Sequence, residues 1–123
     1  MRGQRLFIRP LEGGDAEAIR EFFAANARAD DAPSLGLIGK LVGDLVAVLA
    51  MEITADAVLI NDLFVGRELR RKRIGRFMVD ELARLARKID RHRIEVDAPP
   101  EALDFFRRLG FEHDGLRMVK WIT

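Results

Sequence analysis

The chain has 123 residues, which is enough for one hydrophobic core but not for two, so we expect a single domain spanning residues 1–123. Hydrophobic residues make up 49% and charged residues 33%, a balance that excludes a disordered chain. Cysteine is absent, which excludes disulfides and thiol catalysis. The N-terminus has no long apolar core. We therefore expect a cytoplasmic protein with no membrane partner.

The first half of the chain predicts one strand, one helix and three further strands. Residues 5–10 alternate in hydrophobicity, as a short strand does. Asp15 is a candidate N-cap for a helix whose apolar residues follow helical spacing. Gly43 and Asp44 separate two apolar runs and predict a hairpin, and residues 55–65 predict the fourth strand.

The second half predicts a long helix, a fifth strand, a shorter helix closed by Gly110 and a final hairpin or strand pair. The order β-α-β-β-β-α-β-α-β predicts a mixed α/β domain with a mostly antiparallel sheet and helices on both faces. The long helix is expected to bury one apolar stripe, made of Ile74, Phe77, Met78, Leu82, Leu85 and Ile89.

The chain lacks the residues that several classes of enzyme need for catalysis. Ser34 is the single serine and lies in a helix-breaking segment, which argues against a Ser-His-Asp hydrolase. His92 and His113 lack metal-ligand spacing, so no metal site is expected. Tyrosine is absent, which removes a phenol as a general acid. We therefore expect binding or transfer without a covalent intermediate.

Basic charge is concentrated in front of the long helix. Eleven of the 21 Lys and Arg residues lie between Gly66 and Arg93, against four acidic residues, and residues 70–73 are four successive cations. Between Glu68 and Asp80 there is no Ser, Thr, Asp or Asn to cap the helix. Uncapped amide groups, the helix dipole and these cations favour a phosphate site. The alternative is a basic face satisfied by water.

The segment INDLFVGRELRRKRIGRFMVDEL resembles the central motif of the GNAT superfamily of acyl-CoA-dependent N-acyltransferases, a strand, the pattern [R/Q]-x-x-G-x-[G/A] and a long helix. Arg70 matches the first position and Gly75 the last. Arg73 replaces the middle glycine, and its side chain either hinders close approach of a phosphate or adds a cation for the 3′-phosphate. The segment ALDFFRRLGFE resembles the second motif, A-x-x-F-Y-x-x-x-G-F, at Ala102, Phe105, Gly110 and Phe111.

The element order agrees as well, so the resemblance covers nearly the whole chain, although the domain is short for the family. It implies a sheet splayed between the fourth and fifth strands and acetyl-CoA as acyl donor. The pantetheine arm would pair with the strand backbone at residues 63–65, and the pyrophosphate would lie on residues 70–76. The residues implied to contact the donor are Leu63, Phe64, Val65, Arg70, Arg71, Lys72, Arg73, Ile74, Gly75, Arg76 and Phe106.

The resemblance implies less about catalysis. Phe106 stands where family members commonly carry a tyrosine that protonates the departing thiolate, and phenylalanine cannot donate a proton. Asp62 is the candidate base, because family members use an acidic residue on the fourth strand. The alternative role for Asp62 is a structural carboxylate that accepts hydrogen bonds from backbone amides at a strand bulge. Glu52, Glu95 and Asp97 are further candidates.

Three functions remain open on the sequence. The first is an N-acetyltransferase that moves acetyl from acetyl-CoA to a small-molecule or protein amine. The second is a catalytically impaired acyl-CoA sensor that regulates a partner protein. The third, nucleic-acid binding, is disfavoured because the basic segment lacks base-stacking aromatics and helix-turn-helix spacing. Trp121 is either a packing residue or a contact in a homodimer.

Overall fold

The structure, a computed structural model, describes residues 5–69 and 73–122, which form a seven-stranded mixed sheet in the order β1-β2-β3-β4-β5-β7-β6. None of the helices in these residues is long and apolar enough to cross a lipid bilayer. The predicted order of elements is confirmed. The elements are β1 Leu6–Pro10, α1 Ala16–Ala25, β2 Gly36–Leu41, β3 Asp44–Ile53, β4 Val58–Val65, α2 Ile74–Lys88, β5 Arg93–Val96, α3 Leu103–Arg108, β6 Glu112–Asp114 and β7 Arg117–Trp121, with short 3₁₀ turns at Gly13–Asp15, Arg67–Leu69 and Pro100–Ala102.

Helices cover both faces of the sheet, as predicted. On one face α1 buries Ile19 and Phe23 against Ile38 of β2 and Val48 of β3. On the other face α2 forms the larger core with β2 to β5, and Met78 is fully buried there. Burial of these side chains is the main stabilising contribution to the fold.

The predicted apolar stripe of α2 is wrong at two positions. Phe77 and Ile89 are exposed, and the buried face of α2 instead includes Val79, Ala83 and Ala86. The pattern had given weight to large apolar residues, whereas the small alanines are the ones that face the sheet. Trp121 is 65% exposed, so it lies outside the core, and it packs at the surface with the guanidinium carbon of Arg93 5.4 Å from its ring centroid.

The expected splay lies between β4 and β5, the parallel pair of the sheet. Among the described residues their ladder contains three register pairs and ends at Ile60 and Val96. β4 continues along β3 as far as Val65. A bulge at Asn61 interrupts the β3–β4 register at this point, since Ala50 pairs with Asp62 and Met51 with Ile60.

Asp15 directly precedes α1, but its carboxylate does not cap that helix. Its two oxygens accept hydrogen bonds from the Arg9 guanidinium at 2.9 Å each, and Oδ2 also accepts one from the Glu12 amide at 2.7 Å. These hydrogen bonds lower the pKa of Asp15 to about 2, with that of Arg9 contributing most. Asp15 therefore ties β1 to the start of α1.

We expect replacement of Gly36 by alanine to destabilise the fold by about 3 kcal/mol. A Cβ atom at Gly36 would lie 1.8 Å from the carbonyl oxygen of Leu49, and a backbone atom in the middle of β3 has no room to move. Urea denaturation measures the change. Gly13→Ala is the matched control, because a Cβ atom there meets nothing within 4 Å. Equal losses of stability in both variants would contradict the prediction that the clash with the Leu49 carbonyl is the cause.

We expect Asp15→Asn to lower the free energy of unfolding by about 1 kcal/mol at pH 7. This value is reduced because solvent screens the ion pair with Arg9. The folded pKa of Asp15 lies below its ordinary value of 3.8, so the stabilisation is complete above that value. It disappears as the pH falls towards 2. Urea titrations between pH 3 and pH 7 should therefore show the two proteins converging at low pH. A stability difference between the two proteins that stays constant over this pH range would contradict the role of the Asp15 carboxylate.

Candidate active site

A cleft of about 1210 Å³ opens where β4 and β5 diverge. Its walls come from β4, the end of β5, the start of α2 and helix α3. The residues that line it are Ile60, Asn61, Asp62, Leu63, Val65, Leu69, Arg73, Ile74, Gly75, Arg76, Val96, Asp97, Pro99, Glu101, Ala102, Phe105, Phe106, Arg108 and Leu109. The structure thus brings together most of the predicted site residues that it describes.

One end of the cleft is the start of α2, where Arg73 is the N-cap residue. The amide of Phe77 donates the first helical hydrogen bond, to the Arg73 carbonyl oxygen at 3.1 Å, so the preceding amide groups have no partner within the helix. No side chain of the described residues caps these amides. Arg76 adds a second cation to this end of the cleft. Arg70, Arg71 and Lys72 lie outside the described residues.

Arg73 adopts a left-handed backbone conformation with φ 64° and ψ 14°. This region favours glycine, because in other residues Cβ crowds the backbone. The conformation gives a physical reason why glycine is usual at this place in the motif.

Gly75 provides a close approach between α2 and α3. A Cβ atom at Gly75 would lie 3.1 Å from the ring of Phe105 and 3.7 Å from Leu63. Phe106 is buried beside them, with its ring centroid 4.9 Å from that of Phe105 and 5.2 Å from that of Phe111. The predicted contact residues Leu63, Gly75 and Phe106 are therefore part of one apolar wall.

The residues of β4 divide between the two faces of the sheet. Leu63 and Val65 pack on the α2 side and line the cleft. Phe64 points to the α1 side, where its ring lies 5.6 Å from that of Phe22 and 5.8 Å from that of Phe23. Its predicted contact is a backbone contact, and that contact stays a prediction.

Asp62 also lines the cleft, next to the bulge at Asn61 and two residues after Ile60, the last residue of β4 that pairs with β5. The structural role envisaged for it involved backbone amides, but its partner in the structure is the guanidinium of Arg28, which donates from Nη2 to Asp62 Oδ2. Arg28 also donates from Nε to Asp30 at 2.5 Å. Partial burial lowers the pKa of Arg28, but the hydrogen bonds to Asp30 and Asp62 outweigh this effect and raise it above its usual value.

Sequence reasoning missed Arg28. The residue lies in a polar segment after α1, far from either motif, and its proximity to Asp62 depends on how α1 crosses the sheet. The sequence held one indirect indication of its position. Arg28 is a cationic residue three positions after the end of a helix whose apolar face ends in Phe22 and Phe23.

Of the further carboxylate candidates, Asp97 lines the cleft and accepts a hydrogen bond from Arg117 at 3.1 Å. Glu95 and Glu52 do not line it. Glu95 accepts hydrogen bonds from Arg93 at 2.7 Å and Arg117 at 3.0 Å. The bond from Arg93, followed by that from Arg117, holds the pKa of Glu95 below its usual value. Glu95 is thus committed to an ion-pair network.

Across residues 5–69 and 73–122, no three His, Asp or Glu side chains form a group that would hold a metal ion.

Comparison with known proteins gives a match to the family model described as an acetyltransferase (GNAT) domain, over residues 20–121. The chain is also similar to glucosamine 6-phosphate N-acetyltransferase of Candida albicans, with 28% identity over 60 residues. That match covers 49% of this chain and 40% of the curated relative, so it spans less than half the length of either.

Solved structures share the fold. The ribosomal-protein-S18-alanine N-acetyltransferase of Escherichia coli superposes with a TM-score of 0.77 at 16% identity, covering 97% of this chain and 95% of that one. A GNAT family acetyltransferase of Brucella melitensis, solved in complex with acetyl-CoA, gives a TM-score of 0.74 at 16% identity and covers 97% and 89% of the two chains. With the family model matching most of its length, the chain belongs to the GNAT acetyltransferase family.

Proposed function

We propose that this protein is an N-acetyltransferase that moves the acetyl group of acetyl-CoA directly to a primary amine. The observation that carries the proposal is the cleft itself. It opens where β4 and β5 diverge and includes the start of α2, where two arginines line it and no side chain of the described residues caps the helix, and residues of both family motifs line it. The family match supports acyl transfer as the reaction class.

The start of α2 suits the phosphate end of the donor. Amide groups without helical partners point out of the helix start, and the helix dipole adds partial positive charge there. Arg73 and Arg76 bring side-chain cations to the same end, and Arg108 adds a third to the cleft lining. The apolar wall of Leu63, Gly75 and Phe106 leads from there towards the point of divergence.

The transfer needs an amine nitrogen with a free lone pair beside the thioester. The nitrogen attacks the carbonyl carbon, the new C–N bond forms, and the C–S bond breaks. The thiolate leaves and takes a proton, and the amine nitrogen loses one. Phe106 cannot supply the proton to the thiolate, so we assign that role to water. Positioning of the two reactants and polarisation of the carbonyl then carry most of the rate enhancement.

Asp62 is the residue we assign to the amine. Arg28 occupies its Oδ2 atom, and no donor among the described residues binds Oδ1. The Asp62 side chain is 37% exposed, and Asp62 is one of the residues that line the cleft where β4 and β5 diverge. Oδ1 is therefore available to accept a hydrogen bond from an incoming ammonium group and to receive its proton, directly or through water.

We expect Asp62→Asn to lower kcat with the best acceptor by about 100-fold, because asparagine keeps the shape but cannot accept a proton. Thiol release from acetyl-CoA measures turnover with a panel of spermidine, kanamycin, amino acids and peptide N-termini. Calorimetry should give an unchanged Kd for CoA. Glu52→Gln is the control on the neighbouring strand and should keep full activity. Tight CoA binding with no thiol release from any acceptor would favour the acyl-CoA sensor instead.

Two substitutions of Arg73 separate its charge from its backbone conformation. Both Arg73→Ala and Arg73→Gly remove the cation, and we expect each to weaken CoA binding about fivefold, as loss of an exposed charge contact does. Glycine relieves the left-handed strain and alanine does not, so the glycine variant should be about 1 kcal/mol more stable than the alanine variant. Calorimetry and urea denaturation measure the two effects.

Arg84→Ala is the control for the binding and the stability measurements on Arg73, since Arg84 pairs with Glu81 on α2 and does not line the cleft. Tighter CoA binding by Arg73→Gly than by the unmodified protein would mean that the Arg73 side chain hinders the phosphates.

A further inference from the structure

Arg28 belongs to neither family motif, but its guanidinium contacts Asp62, a residue that lines the cleft. Its side chain is 23% exposed, and the guanidinium carbon lies 4.5 Å from the ring centroid of Phe23 and 4.9 Å from that of Phe64. Two aromatic rings thus hold the guanidinium, while Asp30 and Asp62 accept its hydrogen bonds. The side chain is fixed by contacts of several kinds.

The end of α1 sets the position of Arg28. Ala27 turns the chain with a left-handed φ of 61°. The amide of Ala27 then donates to the Ala24 carbonyl at 3.1 Å, and that of Arg28 donates to the Phe23 carbonyl at 2.8 Å. This pair of hydrogen bonds is the Schellman motif, in which the residue after the left-handed one contacts the last turn of the helix. Arg28 makes this contact by stacking on Phe23.

The same helix end is bound to the sheet a second time. The Asn26 side chain donates to the Phe22 carbonyl at 2.9 Å and accepts a hydrogen bond from the Arg67 amide at 3.0 Å. Arg67 lies two residues after the end of β4. The end of α1 is therefore anchored at both sides of the segment that carries Leu63 to Val65, and Arg28 is held against Asp62 by this anchorage.

We propose that Arg28 is a positioning residue for the acetyl transfer, which holds the Asp62 carboxylate by Oδ2 and so presents Oδ1 to the acceptor amine. The inference rests on the proposed function of Asp62. A carboxylate next to a strand bulge with one third of its surface in solvent has several rotamers open to it. The hydrogen bond from a stacked guanidinium selects one of them, and the effect on turnover runs through Asp62.

Three variants separate the contributions of the hydrogen bond to Asp62, the positive charge and the stacking of Arg28. Arg28→Leu keeps apolar contact with Phe23 and Phe64 but removes the hydrogen bond to Asp62. Arg28→Lys keeps a cation and allows one hydrogen bond, without the planar face for stacking. Asp30→Asn removes the charge of the other partner and leaves the contact with Asp62 in place.

A double-mutant cycle with Asp62→Asn tests the inference, using thiol release with the fastest acceptor of the same panel. We expect Arg28→Leu to lower kcat/KM for that acceptor about 10- to 100-fold, as misplacement of a reacting group by about 1 Å does. The KM for acetyl-CoA should not change. Arg28→Lys should recover part of the loss, and Asp30→Asn should stay within about twofold of the unmodified protein. In the Asp62→Asn background the further loss from Arg28→Leu should be less than about twofold.

The outcomes separate the inference from the proposed function. Equal losses from Arg28→Leu in both backgrounds would show that Arg28 acts through the fold and overturn its positioning role alone. If Arg28→Leu does not fold, the same cycle is run with Arg28→Lys, and the same criterion applies. Absence of thiol release by the unmodified protein with every acceptor would overturn the proposed function, and the role of Arg28 with it.

Discussion

The early end of the β4–β5 ladder is the constraint on which the rest of this molecule depends. After Ile60 and Val96 the two strands separate, although β4 keeps its partner β3 as far as Val65. The space between them has to be closed from the α2 side, and the start of α2 and helix α3 close it in part. What remains open is a cleft with strand backbone on one side and a helix start at its end.

Both signs of charge line the cleft. Arg73 and Arg76 lie at the start of α2, whereas Asp62 and Asp97 follow the last paired residues of β4 and β5. On the proposed function, an anionic donor would bind near the arginines and a cationic acceptor near the carboxylates, so each would meet side chains of the opposite charge.

The secondary-structure elements and many of the residues that line the cleft could be predicted from the sequence, because both depend on patterns of residues close together in the chain. Hydrophobic periodicity gave the elements, and the two motifs located the cleft-lining residues around Gly75 and Phe106. The environment of Asp62 could not be predicted, since Arg28 reaches it across 34 residues of chain, through the packing of α1 on Phe64. The left-handed conformation of Arg73 was also beyond reach, because no propensity predicts it for arginine.

The brevity of the β4–β5 ladder has a consequence for the cohesion of the sheet. In the described residues three register pairs join strands β1 to β4 to strands β5 to β7. Helix α2 contacts β1 to β4 on one side of the gap and β5 on the other, so it carries much of the connection between the two parts. Local unfolding tends to occur at boundaries that few hydrogen bonds cross. We therefore expect the amide protons of β5 to β7 to exchange with solvent as a unit separate from those of β2 and β3. The gap between β4 and β5 should thus divide the domain into two cooperative parts, with α2 as their common support.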